Sequence, residues 1–158
     1  MTAVYQVNET SGPGAALNEA GIRAKCLTLS HGPHYNAAMT DRPALQPVDY
    51  ARMAVDVASE GQASDIVMLD ISGCSDFTDY FVILSVESSR QMRSIVDELE
   101  GTLERAGARL HHREGSPQGG WRLLDFGDVI IHVFGVEERD YYRIEGAWPE
   151  AAEVVRIQ

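Results

Sequence analysis

The stretch Gly119-Gly120-Trp121-Arg122-Leu123-Leu124-Asp125-Phe126-Gly127-Asp128-Val129-Ile130-Ile131-His132-Val133-Phe134 decides the fold. Two apolar runs rich in β-branched and aromatic residues flank Gly127-Asp128, a two-residue loop of the kind that closes a type I′ or II′ hairpin. A loop of that length fixes the register. Phe126 faces Val129, Leu124 faces Ile131, Leu123 faces His132, and Trp121 faces Phe134 as an aromatic cross-strand pair. Both faces of the hairpin are then largely apolar, which predicts strands covered on both sides rather than half-exposed at an edge.

Upstream of the hairpin lie a polar loop, Gly115-Ser116-Pro117-Gln118-Gly119, and a short strand near Arg109-Leu110-His111. Before these comes the best-marked helix. Ser88 and Gln91 form a capping box, and Met92, Ile95, Val96, Leu99, Leu103 and Ala106 make one apolar face that ends at Gly107. Tyr80-Phe81-Val82-Ile83-Leu84 and Ile66-Val67-Met68-Leu69 read as buried strands, with Gly73-Cys74-Ser75-Asp76 turning between them. Val48, Ala51, Val55 and Ala58 recur at helical spacing, with Pro47 in the first turn, Asp49 near the positive end of the dipole and Gly61 as the stop. Downstream of the hairpin, Glu137 to Trp148 reads as one helix with Tyr141, Ile144 and Trp148 on one side, and residues 153–157 as an extended segment. A strand followed by a helix suggests a crossover onto a mixed sheet. The order predicts an α/β or α+β fold: a mixed sheet of about five strands packed with helices.

Residues 1–46 mix Gly, Pro, Ser, Thr, Asn and Ala without periodicity and are expected to be a poorly ordered N-terminal extension, with residues 47–158 as the folded domain. Met39 would serve as an alternative start. In a chain of 158 residues with 44% hydrophobic content, one domain with a full core is expected. No apolar run approaches the roughly 20 residues of a membrane helix, and no basic start leads into an apolar run, so a cytoplasmic location is expected. Cys26 and Cys74 belong to no CxxC pair and fit a reducing compartment.

The charge is unevenly placed. Residues 1–46 hold three acids and three bases, whereas residues 47–158 hold 21 acids and ten bases, so the whole net charge of −11 falls on the expected domain. The single lysine, Lys25, lies outside it. Such a surface repels phosphate backbones, which disfavours direct nucleic-acid binding, and its natural complement is a basic protein.

Residues that could carry catalysis do not assemble a reaction. Asp125-Phe126-Gly127 matches the magnesium-binding triplet of kinases, without the Gly-rich loop or the His-Arg-Asp that a kinase needs. Asp70, Asp125 and Asp128 lie near predicted strand ends, yet no strand carries the Asp-x-Asp spacing of a two-metal site. His132 within an apolar strand reads as a hydrogen-bonded core histidine. His111 and His112 point to opposite faces of a strand, and His31 with His34 lacks further ligands. What core packing does not demand is the set Trp121, Arg139, Tyr141, Tyr142 and Trp148 among Glu114, Glu137, Glu138 and Glu145, since Trp, Tyr and Arg concentrate binding energy at interfaces.

Asp65-Ile66-Val67-Met68-Leu69-Asp70, Thr78-Asp79-Tyr80-Phe81-Val82-Ile83, Ser88-Ser89-Arg90-Gln91, Arg113-Glu114-Gly115, the run from Trp121 to Phe134, Arg139-Asp140-Tyr141-Tyr142 and Glu145 with Trp148 together resemble the ribosomal silencing factor family, also called RsfS or Iojap. The likeness spans roughly residues 47–150. It implies a fold related to the nucleotidyltransferases but without their catalytic acids, and hence neither an enzyme nor a cofactor. It also implies binding to ribosomal protein L-fourteen on the large subunit, a block to joining of the small subunit, and repression of translation. Members also dimerise when free, and organelle relatives act in large-subunit assembly. Trp121, His132, Arg139, Tyr141 and Tyr142 match the family's strongest motifs, as do Asp79, Glu114 and Asp128. These eight are the expected partner-binding set. Two other readings stand beside it, an assembly adaptor for the large subunit and a residual nucleotide binder.

Overall fold

The computed structural model describes residues 45–158. In chain order the elements are α1 (Pro47–Glu60), β1 (Ser64–Asp70), β2 (Tyr80–Val86), α2 (Ser89–Ala106), β3 (His112–Ser116), β4 (Trp121–Asp125), β5 (Val129–Gly135), α3 (Val136–Tyr142) and β6 (Ala152–Ile157), with 3-10 turns at Pro117–Gly119 and Ile144–Ala147. The six strands form one sheet in the order β3-β4-β5-β2-β1-β6. β2 and β5 run parallel, and every other neighbouring pair is antiparallel. A parallel pair needs a long connection, and here α2, β3 and β4 supply it. The extended segment near the C-terminus pairs with β1 and becomes the sixth strand.

The hairpin register is as the loop length dictates: Trp121 opposes Phe134, Leu123 opposes His132, and Leu124 opposes Ile131. Phe126 N–H donates to the Val129 carbonyl at 2.9 Å, and Gly127 takes φ +88, the left-handed conformation that a primed turn requires. β5 is central, and its residues 129–134 are all buried. β4 is less covered than its composition predicts. Trp121 and Leu123 are only half-buried, because its outer neighbour β3 is short and wholly exposed.

One face of the sheet carries both long helices. Ala51, Ala54, Val55 and Ala58 of α1 and Met92, Ile95, Val96, Leu99 and Leu103 of α2 pack on Ile66, Met68, Val82, Leu84, Ile131 and Val133. Small residues on α1 let it lie close to the sheet and to α2. The Ser88 hydroxyl caps α2 by accepting from Gln91 N–H at 3.2 Å, and Gly107 ends it at φ +105. The Gln91 amide departs from a simple capping box: its oxygen accepts from Glu87 N–H, and its nitrogen donates to the Gly61 and Gln62 carbonyls, tying the start of α2 to the end of α1.

Two local expectations are revised, and a third, Gly61 as the stop of α1, holds without the left-handed conformation usual for such a glycine. The strand expected at Arg109 to His111 lies further on, at His112–Ser116, because its ladder with β4 is set by Ser116 opposing Trp121. The helix expected from Glu137 to Trp148 breaks at Arg143, which is left-handed at φ +42 and donates from Nε to the Asp140 carbonyl at 3.1 Å. Gly61 ends α1 for a steric reason. Its own φ is −74, and the left-handed residue is Gln62. Readings that fell on His31, His34, Cys26 and the remainder of residues 1–44 lie outside the described residues.

A Cβ at Gly61 would stand 2.6 Å from Ile95 Cγ1, whereas one at Gly73 would meet nothing within 4 Å. Gly61→Ala should therefore lower stability by about 1–3 kcal/mol through overpacking. Gly73→Ala should change it by roughly half a kcal/mol or less, as surface substitutions do. Urea midpoints of the two variants test the contrast, and equal midpoints would show that the helix pair yields freely.

Candidate functional site

Alternation places one set of side chains on the sheet face away from α1 and α2. The pairing aligns Leu123, His132, Ile83 and Val67 in one row, and Asp125, Ile130, Phe81 and Leu69 in the next. Among the described residues this face has no long helix over it. Its cover is the segment after β5, whose Ile144, Trp148 and Ala151 pack on Val67, Leu69, Phe81, Ile83, Ile130 and Phe134.

The row that ends in Trp121 builds an aromatic surface. The rings of Trp121 and His132 lie within 16° of parallel with centroids 6.3 Å apart, and those of His132 and Phe134 within 4° at 5.9 Å. Phe81 meets His132 edge-on at 5.3 Å, and Trp148 meets Phe81 edge-on at 5.6 Å. At one end Phe134 packs against Tyr142, and Tyr142 against Tyr141. At the other, Phe77 packs against Trp148. Such offset and edge-to-face pairs are worth about 0.5–1.5 kcal/mol each beyond area burial.

Solvent reaches this array at two places. Tyr141 is 81% exposed, Tyr142 58% and Phe77 59%. Trp121, Phe134, Tyr142, Ile144 and Ala147 line an open apolar pocket of about 250 Å³. The Gly119-Gly120 pair makes that approach possible. Gly120 is left-handed at φ +68, its carbonyl accepts from Gly135 N–H at 2.7 Å, and a Cβ on it would fall 2.2 Å from the Glu138 carboxyl carbon.

Beneath the surface His132 and Arg139 are 4% and 6% exposed, so neither offers itself to a partner. Trp121 Nε1 donates to His132 Nδ1 at 3.4 Å, which requires a neutral imidazole carrying its proton on Nε2. Burial, with the nearby Arg139 cation, lowers the imidazole pKa from 6.5 to about 4. Arg139 Nε donates to Glu145 Oε1 at 3.0 Å, and its Nη2 lies 3.4 Å from Asp65 Oδ2. Arg156 bonds Asp65 Oδ1 at 3.1 Å and Glu153 Oε2 at 2.7 Å.

Trp121, Tyr141, Tyr142, His132 and Arg139 are thus gathered at one end of the sheet. Glu114 joins them on the same face of β3, opposite Leu123, and is exposed and paired with His112 at 3.1 Å. Asp79 and Asp128 are not part of this cluster. They lie at the starts of β2 and β5, where the Asp128 carbonyl accepts from the Asp79 and Tyr80 amides at 3.0 Å, six strand positions from Phe134. The acids considered for metal chemistry serve turns: Asp70 Oδ1 accepts from Ser72, and Asp125 Oδ1 from Gly127 N–H. Among the described residues no three His, Cys, Asp or Glu side chains are grouped as metal ligands. The sequence reading names Glu145 and does not single out Phe77, Asp65 or Arg156 as site residues. Phe77 stands alone in a polar turn, and Asp65 and Arg156 carry no local pattern that points to Arg139.

Comparison with known proteins agrees with the geometry. The family described as "Ribosomal silencing factor during starvation" matches residues 44–158. The ribosomal silencing factor RsfS of Halalkalibacterium halodurans is 35% identical over 103 residues, covering 65% of this chain and 88% of that protein. The mouse protein named "Mitochondrial assembly of ribosomal large subunit protein 1" is 30% identical, covering 79% of this chain and 62% of that one. A crystal structure of a Chromobacterium violaceum protein superposes with a TM-score of 0.63 at 27% identity, covering 70% of this chain and 94% of its own.

The lowered His132 pKa makes stability pH-dependent. Between pH 6.5 and about 4 the unfolded chain holds a proton on this residue that the folded chain refuses. Stability therefore falls as pH falls through that window and is fully retained above it, with a loss approaching roughly 3 kcal/mol. Urea unfolding at pH 7, 5.5 and 4.5 should show this decline, and His132→Phe should remove most of it. An equal decline in that variant would assign it to the carboxylates instead.

Proposed function

The chain belongs to the ribosomal silencing factor family, and from that premise we propose that it binds ribosomal protein L-fourteen on the large subunit and blocks the small subunit from joining, thereby repressing translation. The supporting observation is the half-covered aromatic face: Trp121, Tyr141 and Tyr142 around an apolar pocket, with Glu114, Glu137, Glu138, Asp140 and Glu145 nearby in sequence or space. Exposed aromatics around a pocket are the anchors that dominate binding energy, and acids at the rim orient a basic partner. The choice of L-fourteen rests on the family resemblance.

In this reading the mechanism is exclusion. A domain of this size, held by a standard interface of roughly 800 Å² per partner, projects far enough to clash with an incoming subunit. No bond is made or broken, so neither an enzyme activity nor a cofactor is invoked. Residues 47–158 carry the activity and act in the cytoplasm. His132 and Arg139 support the surface from below, and Glu114 belongs to its rim. The negative potential keeps the factor off the surrounding RNA and on the basic protein.

The mouse relative's name favours a second reading, in which the same contact serves assembly of the large subunit. A joining assay with purified subunits separates the two, because an assembly adaptor leaves joining intact. Tyr141→Ala, at a side chain outside the core, should weaken large-subunit binding by about 2 kcal/mol or more, some 30-fold, without altering the unfolding midpoint. Trp121→Ala should do at least as much. Co-sedimentation unchanged in both variants would remove this face from the interface. Raising salt from 50 to 500 mM should slow association several-fold while changing release little, since separated charges mostly steer; a salt-independent association rate would sink the electrostatic part.

A further inference from the structure

The segment that builds the exposed part of the aromatic face begins with a short helix. α3 has seven residues, far too few to hold its shape alone. Its single buried side chain is Arg139, a cation; Val136, Tyr141 and Tyr142 are exposed, Tyr142 touches the sheet through Phe134, and the apolar anchors Ile144 and Trp148 lie beyond the helix. Burying a guanidinium costs several kcal/mol unless carboxylates meet it. Two do, and their positions differ in an important way. Glu145 lies six residues further along the same segment and moves with it. Asp65 belongs to β1, so among the ion pairs of Arg139 it is the one that ties the segment to the sheet.

Asp65 is itself held in place. Its backbone is left-handed at φ +45, in the irregularity of the β1–β2 ladder between Ser64 and Val67. Its Oδ1 is bonded by Arg156 of β6, which leaves Oδ2 facing Arg139. The carboxylate is thereby clamped between two cations on different elements. Arg139 Nη1 is buried without a hydrogen-bond partner among the described residues. Arg139 Nη2 also donates to Glu145 Oε1 at 2.5 Å, so without Asp65 the guanidinium would keep its carboxylate within the segment and lose the one on the sheet.

We propose that Asp65 is a positioning residue: acting through Arg139, its carboxylate, together with the packing of Ile144 and Trp148, fixes residues 139–148 against the sheet and so sets the geometry in which Tyr141, Tyr142 and the pocket are presented. The inference rests on the reading of that face as the partner-binding surface. It assigns to Asp65 and Arg156 a role in binding at a distance from the partner.

Asp65→Asn is the test, because Asn tolerates a left-handed backbone and keeps the side-chain shape while losing the charge. In the full chain, amides of residues 140–148 should exchange with deuterium about tenfold faster while those of β2 and β5 are unchanged. Affinity for purified large subunits should fall about tenfold, as for loss of an interface anchor. Arg139→Lys, which cannot bridge two carboxylates as a guanidinium does, should give the same pattern. Exchange accelerated equally in all strands would mean a merely structural role and would overturn the proposal, as would unchanged exchange in residues 140–148. Faster local exchange with undiminished affinity would also overturn it, and the Tyr141→Ala and Trp121→Ala variants would then show independently whether the face binds at all. Should Asp65→Asn fail to fold, Arg156→Gln, at a half-exposed side chain, should produce the same local pattern in weaker form; its absence would overturn the proposal equally.

Discussion

A sheet that is apolar on both faces, with long helices for only one of them, is the constraint from which the rest of this structure follows. The helices α1 and α2 cover Ile66, Met68, Val82, Leu84, Ile131 and Val133. On the reverse face Val67, Leu69, Phe81, Ile83, Ile130 and Phe134 must be kept from water by a seven-residue helix and a 3-10 turn. Large aromatic rings solve part of that problem, because each Trp or Phe covers 150–250 Å² with few rotatable bonds. They leave an edge. Where the cover stops, Trp121, Tyr142 and Tyr141 meet solvent, and the proposed binding face is the unfinished margin of a core.

That constraint explains why so much of the fold was legible in the residues. The Gly127-Asp128 loop set the hairpin register, and the pairing of Trp121 with Phe134 and of Leu123 with His132 followed from period-two alternation. The face of α2 was equally plain, since Met92, Ile95, Val96, Leu99 and Leu103 are all buried. What was not legible depended on contacts between distant segments. Nothing near Gly61 announces Ile95, and nothing near Arg143 announces a left-handed break, because glycine or asparagine is the usual sign of one. The site divided in the same way. Trp121, Tyr141 and Tyr142 stand out as residue types, whereas Asp65 is ordinary until the fold sets its carboxylate beside Arg139.

His132 illustrates how burial assigns a role that composition leaves open. A histidine in water is a proton carrier near neutrality. Here the sheet desolvates it, Arg139 opposes its charge, and the Trp121 indole uses its Nδ1 lone pair. All three favour the neutral ring. The residue becomes a flat polar spacer in an aromatic stack, holding Trp121 at a fixed angle, and the same influences that make it a good spacer make it a poor base at neutral pH.

Charge and shape therefore divide the work. An aromatic margin alone would adhere to many apolar surfaces; a net charge of −11 carried by residues 47–158 turns away phosphate. What remains attractive is a basic protein patch with an apolar knob. On the ribosomal surface that the proposed function invokes, dominated by RNA phosphate, such patches are confined to exposed protein, so negative potential would narrow the landing site before any ring makes contact. A binder chosen in this way needs no catalytic group and no base-reading side chain. It needs a face held rigid enough that its few aromatic anchors are presented together, and in this chain a buried ion pair joins the packing of Ile144 and Trp148 in holding the exposed segment of that face to the sheet.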